Sequence, residues 1–197
     1  MMLHETGLLF VWAVLGGLLK YVDDAYDEGM HNKRAASVIG YVLAIPWLWL
    51  MSTSPGAASV LGSFMVAVVL AREIDILPFV VWTVLVAIGS VVLLALGVIK
   101  IEWGVFAVLS FTGFLEDTLS NYGERRPLPK PLFYLCEYLG VSFIALVVLV
   151  ATKTISPWPA IGFGCFWAGY FSMRVWGRSM ERRKSLVAAT AIHEAQA

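Results

Sequence analysis

Leu77–Ile99 reads LPFVVWTVLVAIGSVVLLALGVI, an unbroken apolar run lying between Asp75 and Lys100. About 20 apolar residues suffice for a helix to cross the hydrocarbon core of a bilayer. A run this long without charge has no place in the core of a small soluble domain. It marks the chain as an integral membrane protein and predicts an all-α helical bundle. The rest of the sequence agrees. Of 197 residues, 59% are hydrophobic and 14% charged, with a mean hydropathy of +0.79, and the apolar stretches extend from one end to the other.

Working outward from that run, seven spans are expected: Gly7–Tyr21, Ala36–Met51, Ala57–Leu70, Leu77–Ile99, Trp103–Leu115, Leu132–Ala151 and Trp158–Trp176. The third and fifth are short and should extend past their acidic ends, with Arg72 and Glu124 snorkelling or facing protein. Ser54-Pro55-Gly56, Leu77-Pro78, Pro127–Pro131 and Ser156-Pro157 are the turn signals between them. Pro46 should kink the second span. Trp47, Trp49, Trp103 and Trp158 sit near span ends, where interfacial aromatics are expected. The first span lacks a basic segment before it and a small-residue cleavage site after it, so it reads as part of the mature chain. The organisation is one transmembrane domain over residues 1–177, followed by a basic and then polar tail over 178–197.

Seven spans gather Lys20, Lys33, Arg34, Arg72, Arg125, Arg126, Lys130, Arg174, Arg178, Arg182, Arg183 and Lys184 on one face. Only Lys100 and Lys153 fall on the other. The positive-inside rule then places the N-terminus outside and the C-terminus in the cytoplasm of a multi-pass cell-membrane protein. Arg182-Arg183-Lys184 fixes topology and can also meet anionic headgroups. Net charge is zero, so bulk charge names no partner beyond the bilayer, and nucleic acid is not expected. Cys136 and Cys165 lie in apolar stretches and imply neither a disulfide nor a zinc site. His4, His31 and His193 are too scattered for metal-ligand spacing.

Most acids collect on the same face as the bases. Asp23 and Asp27 are four residues apart and share a helix face, with Asp24 beside them; Glu116, Ser120 and Glu124 repeat that spacing. Two such stripes facing each other would form a cage of hard oxygen ligands. Mg²⁺ suits it, since that ion takes one or two carboxylates and completes its shell with water and substrate phosphate. The candidate metal ligands are Asp23, Asp27, Glu116, Ser120 and Glu124, with Asn121 assisting. Lys20, Lys33, Arg34, Arg125 and Arg126 are the candidate phosphate contacts. Glu137, two turns inside the sixth span, is a candidate proton donor or a partner of Arg174, and Asp117 is the second candidate acid. The plainer reading of such acids is solvated ion pairs with neighbouring bases, each contributing little.

Asp23-Asp24-Ala25-Tyr26-Asp27 resembles the DDxxD motif of prenyl diphosphate synthases and terpene cyclases. Glu116-Asp117-Thr118-Leu119-Ser120 through Glu124 is similar to the second metal motif of the cyclases. Two acidic motifs closing the first and fifth spans, with Arg126-Pro127-Leu128-Pro129 following the second, resemble the UbiA superfamily of intramembrane prenyltransferases. That resemblance implies a Mg²⁺-dependent enzyme acting on an isoprenoid diphosphate or another phosphate-bearing lipid, as a prenyltransferase or cyclase. The likeness covers the two motifs and their flanks; His31 and Ser120-Asn121 stand where the family carries acids, and the chain has fewer spans. Two other classes stay open: a proton or cation transporter or channel using Glu73, Asp75 and Glu137, and a non-catalytic membrane subunit. Tyr21-Val22-Asp23-Asp24 and Phe114-Leu115-Glu116-Asp117 also suggest a parallel internal repeat.

Overall fold

The structure, a computed structural model, describes residues 2–27, 29–72, 74–125, 129, 131 and 140–196, with side chains described for all of these except 2–5, 124–125 and 181–196. Every regular element among them is helical: α1 Met2–Asp27, α2 Lys33–Val42, α3 Ala44–Thr53, α4 Pro55–Ala71, α5 Leu77–Ala95, α6 Trp103–Arg125, α7 Gly140–Ala151 and α8 Pro157–Gln196.

The boundaries follow from local chemistry. Asn32 starts α2, its side-chain oxygen accepting from the backbone N–H of Arg34 (2.9 Å) and Ala35 (3.4 Å). Ser54 does the same for α4, accepting from Ala57 N–H at 3.1 Å, with Pro55 at the first helical position. Between α2 and α3 the backbone stays helical: Leu43 N–H donates to Ile39 O and Trp47 N–H to Leu43 O. Pro46 has no N–H to give the Val42 carbonyl, so the two segments form one rod with a bend. At the end of α4, Arg72 adopts φ 61°, ψ 35°. A left-handed residue with a Cβ costs about 1–2 kcal/mol, which is why glycine is usual at this position.

Counting α2–α3 as one, the rods follow the seven expected stretches in order; the start of the sixth, 132–139, lies outside the described residues. Three stretches, Thr6–Asp27, Lys33–Thr53 and Leu77–Ala95, are by length and composition able to cross a membrane; α4 and α7 are shorter apolar helices. The outward faces of α5 and α7 are apolar, with Val84, Ile88, Val91, Ile144, Val147 and Val148 all exposed. The fifth stretch runs on to Arg125 as expected, whereas α4 stops at Ala71.

α1 packs chiefly on α8, and α6 chiefly on α4. Both crossings are close because small residues sit at them. A methyl group at Gly16 would collide with the Phe166 carbonyl, and one at Gly169 with the Ala13 carbonyl; one at Gly113 would lie 2.8 Å from Ala67 Cβ. The centre is aromatic. Trp47 meets Trp82 edge-on at 4.9 Å, and Phe64 meets Phe166 at 5.5 Å. Trp47 is fully buried, which corrects the expectation of an interfacial side chain: the bend before it turns it into the core. Trp49, Trp103 and Trp158 are exposed as expected.

Candidate functional site

The last turns of α1 carry the first acidic motif. Lys20 Nζ lies 2.6 Å from Asp23 Oδ2 and 2.7 Å from Asp24 Oδ1, with the Tyr170 ring 5.5 Å away. Lys20 is 9% exposed and Asp24 1%. One buried ammonium shared by two carboxylates offsets part of the desolvation cost, while Asp24 Oδ2 stays buried without a hydrogen bond. Lys20 is thus engaged by protein carboxylates rather than held open for phosphate.

Around this motif lies a cavity of about 1080 Å³. Its polar lining is Asp23 and Asp27 from α1, Arg72 and Asp75 from the α4–α5 connection, Thr118, Asn121 and Tyr122 from α6, and Tyr170 from α8. Its apolar lining includes Leu19, Phe64, Phe79, Trp82 and Phe114. Asp27 lies within electrostatic reach of both Asp23 and Asp75. Among the described lining residues, Asp23, Asp27 and Asp75 face the single guanidinium of Arg72, with the Lys20 ammonium held between Asp23 and Asp24 behind them.

The second motif has a different fate. Glu116 is fully buried on α6. Its Oε2 accepts both the backbone N–H (3.0 Å) and the hydroxyl (2.7 Å) of Ser142 in the first described turn of α7. Asp117 lines a separate small cavity of about 20 Å³ with Ser63 and Ser142, room for about one water. Among the described residues, the polar side chains of α6 that reach the large cavity are the neutral set Thr118, Asn121 and Tyr122.

The expected residues are therefore only partly brought together. Asp23, Asp27 and Asn121 share the large cavity, while Glu116 and Asp117 are directed to α7 and the smaller cavity. Among the described residues, no three His, Cys, Asp or Glu side chains close into a ready-made metal cage. Glu116 is held by Ser142, and Asp23 is shared with Lys20. Ser120 is half-buried. Lys33 stacks over Tyr26 at 5.4 Å, and Arg34 is exposed at the start of α2. The side chains of Glu124 and Arg125, and all of Arg126 and Glu137, lie outside the described residues.

Five polar contributors were not singled out for this site from sequence: Arg72, Asp75, Thr118, Tyr122 and Tyr170. Thr118 and Tyr122 carry a readable signal, lying four apart on one face of α6 within the acidic motif. Ser142, a lone hydroxyl in an apolar stretch, offered none until its acid was known. No protein-family model matches the chain, and neither does any curated protein or solved structure.

Proposed function

We propose that this chain is a Mg²⁺-dependent integral membrane enzyme acting on an isoprenoid diphosphate or another phosphate-headed lipid, in the manner of a prenyltransferase or cyclase. One observation carries the reading: a cavity of about 1080 Å³ with carboxylates on part of its lining and aromatic rings on the rest. An amphipathic substrate needs both.

Asp23, Asp27 and Asp75, with the Asn121 amide, offer the hard oxygen donors that Mg²⁺ prefers, and that ion needs only one or two protein carboxylates when phosphate completes its shell. Bound there, it would neutralise charge on a leaving diphosphate. Phe64, Phe79, Trp82 and Phe114 would enclose the hydrocarbon chain, exclude water, and present ring faces to a developing carbocation. In this reading the seven rods are seven spans, with the N-terminus outside and the acidic end in the cytoplasm. Reporter fusions at the two termini check that orientation; finding both on one side refutes it.

The functional test is calorimetric titration of the detergent-solubilised full chain with geranylgeranyl diphosphate, in Mg²⁺ and in EDTA. Saturable binding that weakens at least about tenfold in EDTA, or on Asp27→Asn, is expected for a charge-assisted contact. Absence of binding in both buffers, or binding indifferent to metal and to Asp27, overturns the reading.

A further inference from the structure

Helices α4 and α8 carry the same pattern in the same register. Ser54, Pro55, Ala58, Gly62, Phe64 and Arg72 recur at one constant interval as Ser156, Pro157, Ala160, Gly164, Phe166 and Arg174. Together with the likeness of Tyr21–Asp24 to Phe114–Asp117, this divides the chain into two units of three rods: α1, α2–α3 and α4, then α6, α7 and α8.

The packing repeats with partners exchanged. The first rod of one unit lies on the last rod of the other, α1 on α8 and α6 on α4. Reciprocal exchange is the mark of a two-fold relation. A two-fold axis also requires equivalent residues to meet beside it, and Phe64 and Phe166 do so, 5.5 Å apart. Ala67 and Gly169, equivalent again, each sit at the close approach to the opposite unit, against Gly113 and Ala13.

The large cavity is shared between the two units. Val68 and Tyr170 are equivalent positions, and both line it. One turn beyond each comes an arginine. Arg72 lines the cavity directly, and Arg174 follows the cavity-lining Tyr170 by one helical turn on the same face of α8. Arg72 holds its place in a backbone conformation that favours glycine.

We infer that Arg72 and Arg174 form a two-fold-related clamp for the anionic end of the ligand in this cavity, one guanidinium from each half of an internally duplicated chain. The inference rests on the reading of that ligand as phosphate-headed. A guanidinium binds phosphoryl oxygens in a planar, bidentate fork. A diphosphate offers two phosphoryl groups, so two opposed arginines match its own near-symmetry, while the carboxylates beside them remain for the metal.

The test uses the full chain in detergent and inorganic pyrophosphate as probe, titrated at saturating Mg²⁺ and in EDTA. Arg72→Gly relieves the left-handed backbone and is expected to melt no lower than the parent while binding pyrophosphate at least about tenfold more weakly in both buffers. Arg174→Gln should show a similar loss, and Arg174→Lys a smaller one. A folded Arg72→Gly protein with parental affinity overturns the clamp; if metal dependence and the Asp27→Asn effect persist, the proposed function stands without it. A parent that binds neither pyrophosphate nor geranylgeranyl diphosphate removes both.

Discussion

The ends of α1 and α6 carry matching acidic motifs, yet the fold treats them oppositely. On α1, charge is kept: Lys20 bridges Asp23 and Asp24, and Asp23 and Asp27 turn to the large cavity. On α6, Glu116 is buried and held by two hydrogen bonds from Ser142, and among the described residues the side chains of that helix that line the large cavity are neutral. Two similar acidic segments thus serve differently: one lines the large cavity, and the other fastens α6 to α7. A carboxylate near the end of an apolar helix needs a cation or hydrogen-bond donors, and each segment has found a different one.

Breaking the fastening segment should have the largest effect on stability. Glu116→Leu leaves the Ser142 N–H and hydroxyl buried without their acceptor and should cost about 2–3 kcal/mol, read as a lowered thermal midpoint in one detergent. Glu116→Gln keeps an acceptor oxygen and should cost about 1 kcal/mol. Equal behaviour of the two would show that Glu116 does not fasten α7. Asp24→Asn comes next, because Lys20 retains Asp23; the same melt should show a loss of about 1 kcal/mol. Asp27→Asn should be smallest, within about 0.5 kcal/mol at an exposed helix end, although it is the change expected, on the proposed function, to weaken ligand binding most. Should Asp27→Asn destabilise as much as Glu116→Leu, the division between the segments fails.

The helical rods were legible because their signals are local. Ser54-Pro55, Leu77-Pro78 and Ser156-Pro157 begin helices where the sequence placed turns, and Pro46 bends its rod as its missing N–H requires. The acidic end of the bundle was legible for the same reason, since alternating rods return their ends to one side. Partner choice was not. The spacing of Glu116 and Ser120 places them on one stripe, but whether Glu116 faces the cavity or α7 depends on Ser142, distant in sequence and silent in composition. Trp47 and Tyr170 illustrate the same limit: aromatic residues of an apolar stretch, one fills the core and the other lines the cavity, a difference set by the bend at Pro46 and by the crossing of α8 over α1.

Helix α5 has a role that its own sequence does not disclose. Each unit holds an odd number of rods, so with alternating directions it begins at one end of the bundle and finishes at the other. For both units to point the same way, the chain must be carried back once between them, and α5 is that return stroke. It is also the most apolar and least buried of the three candidate spans. In the duplication inferred above, the two like units point the same way within one chain, and α5 is the tether that makes this possible.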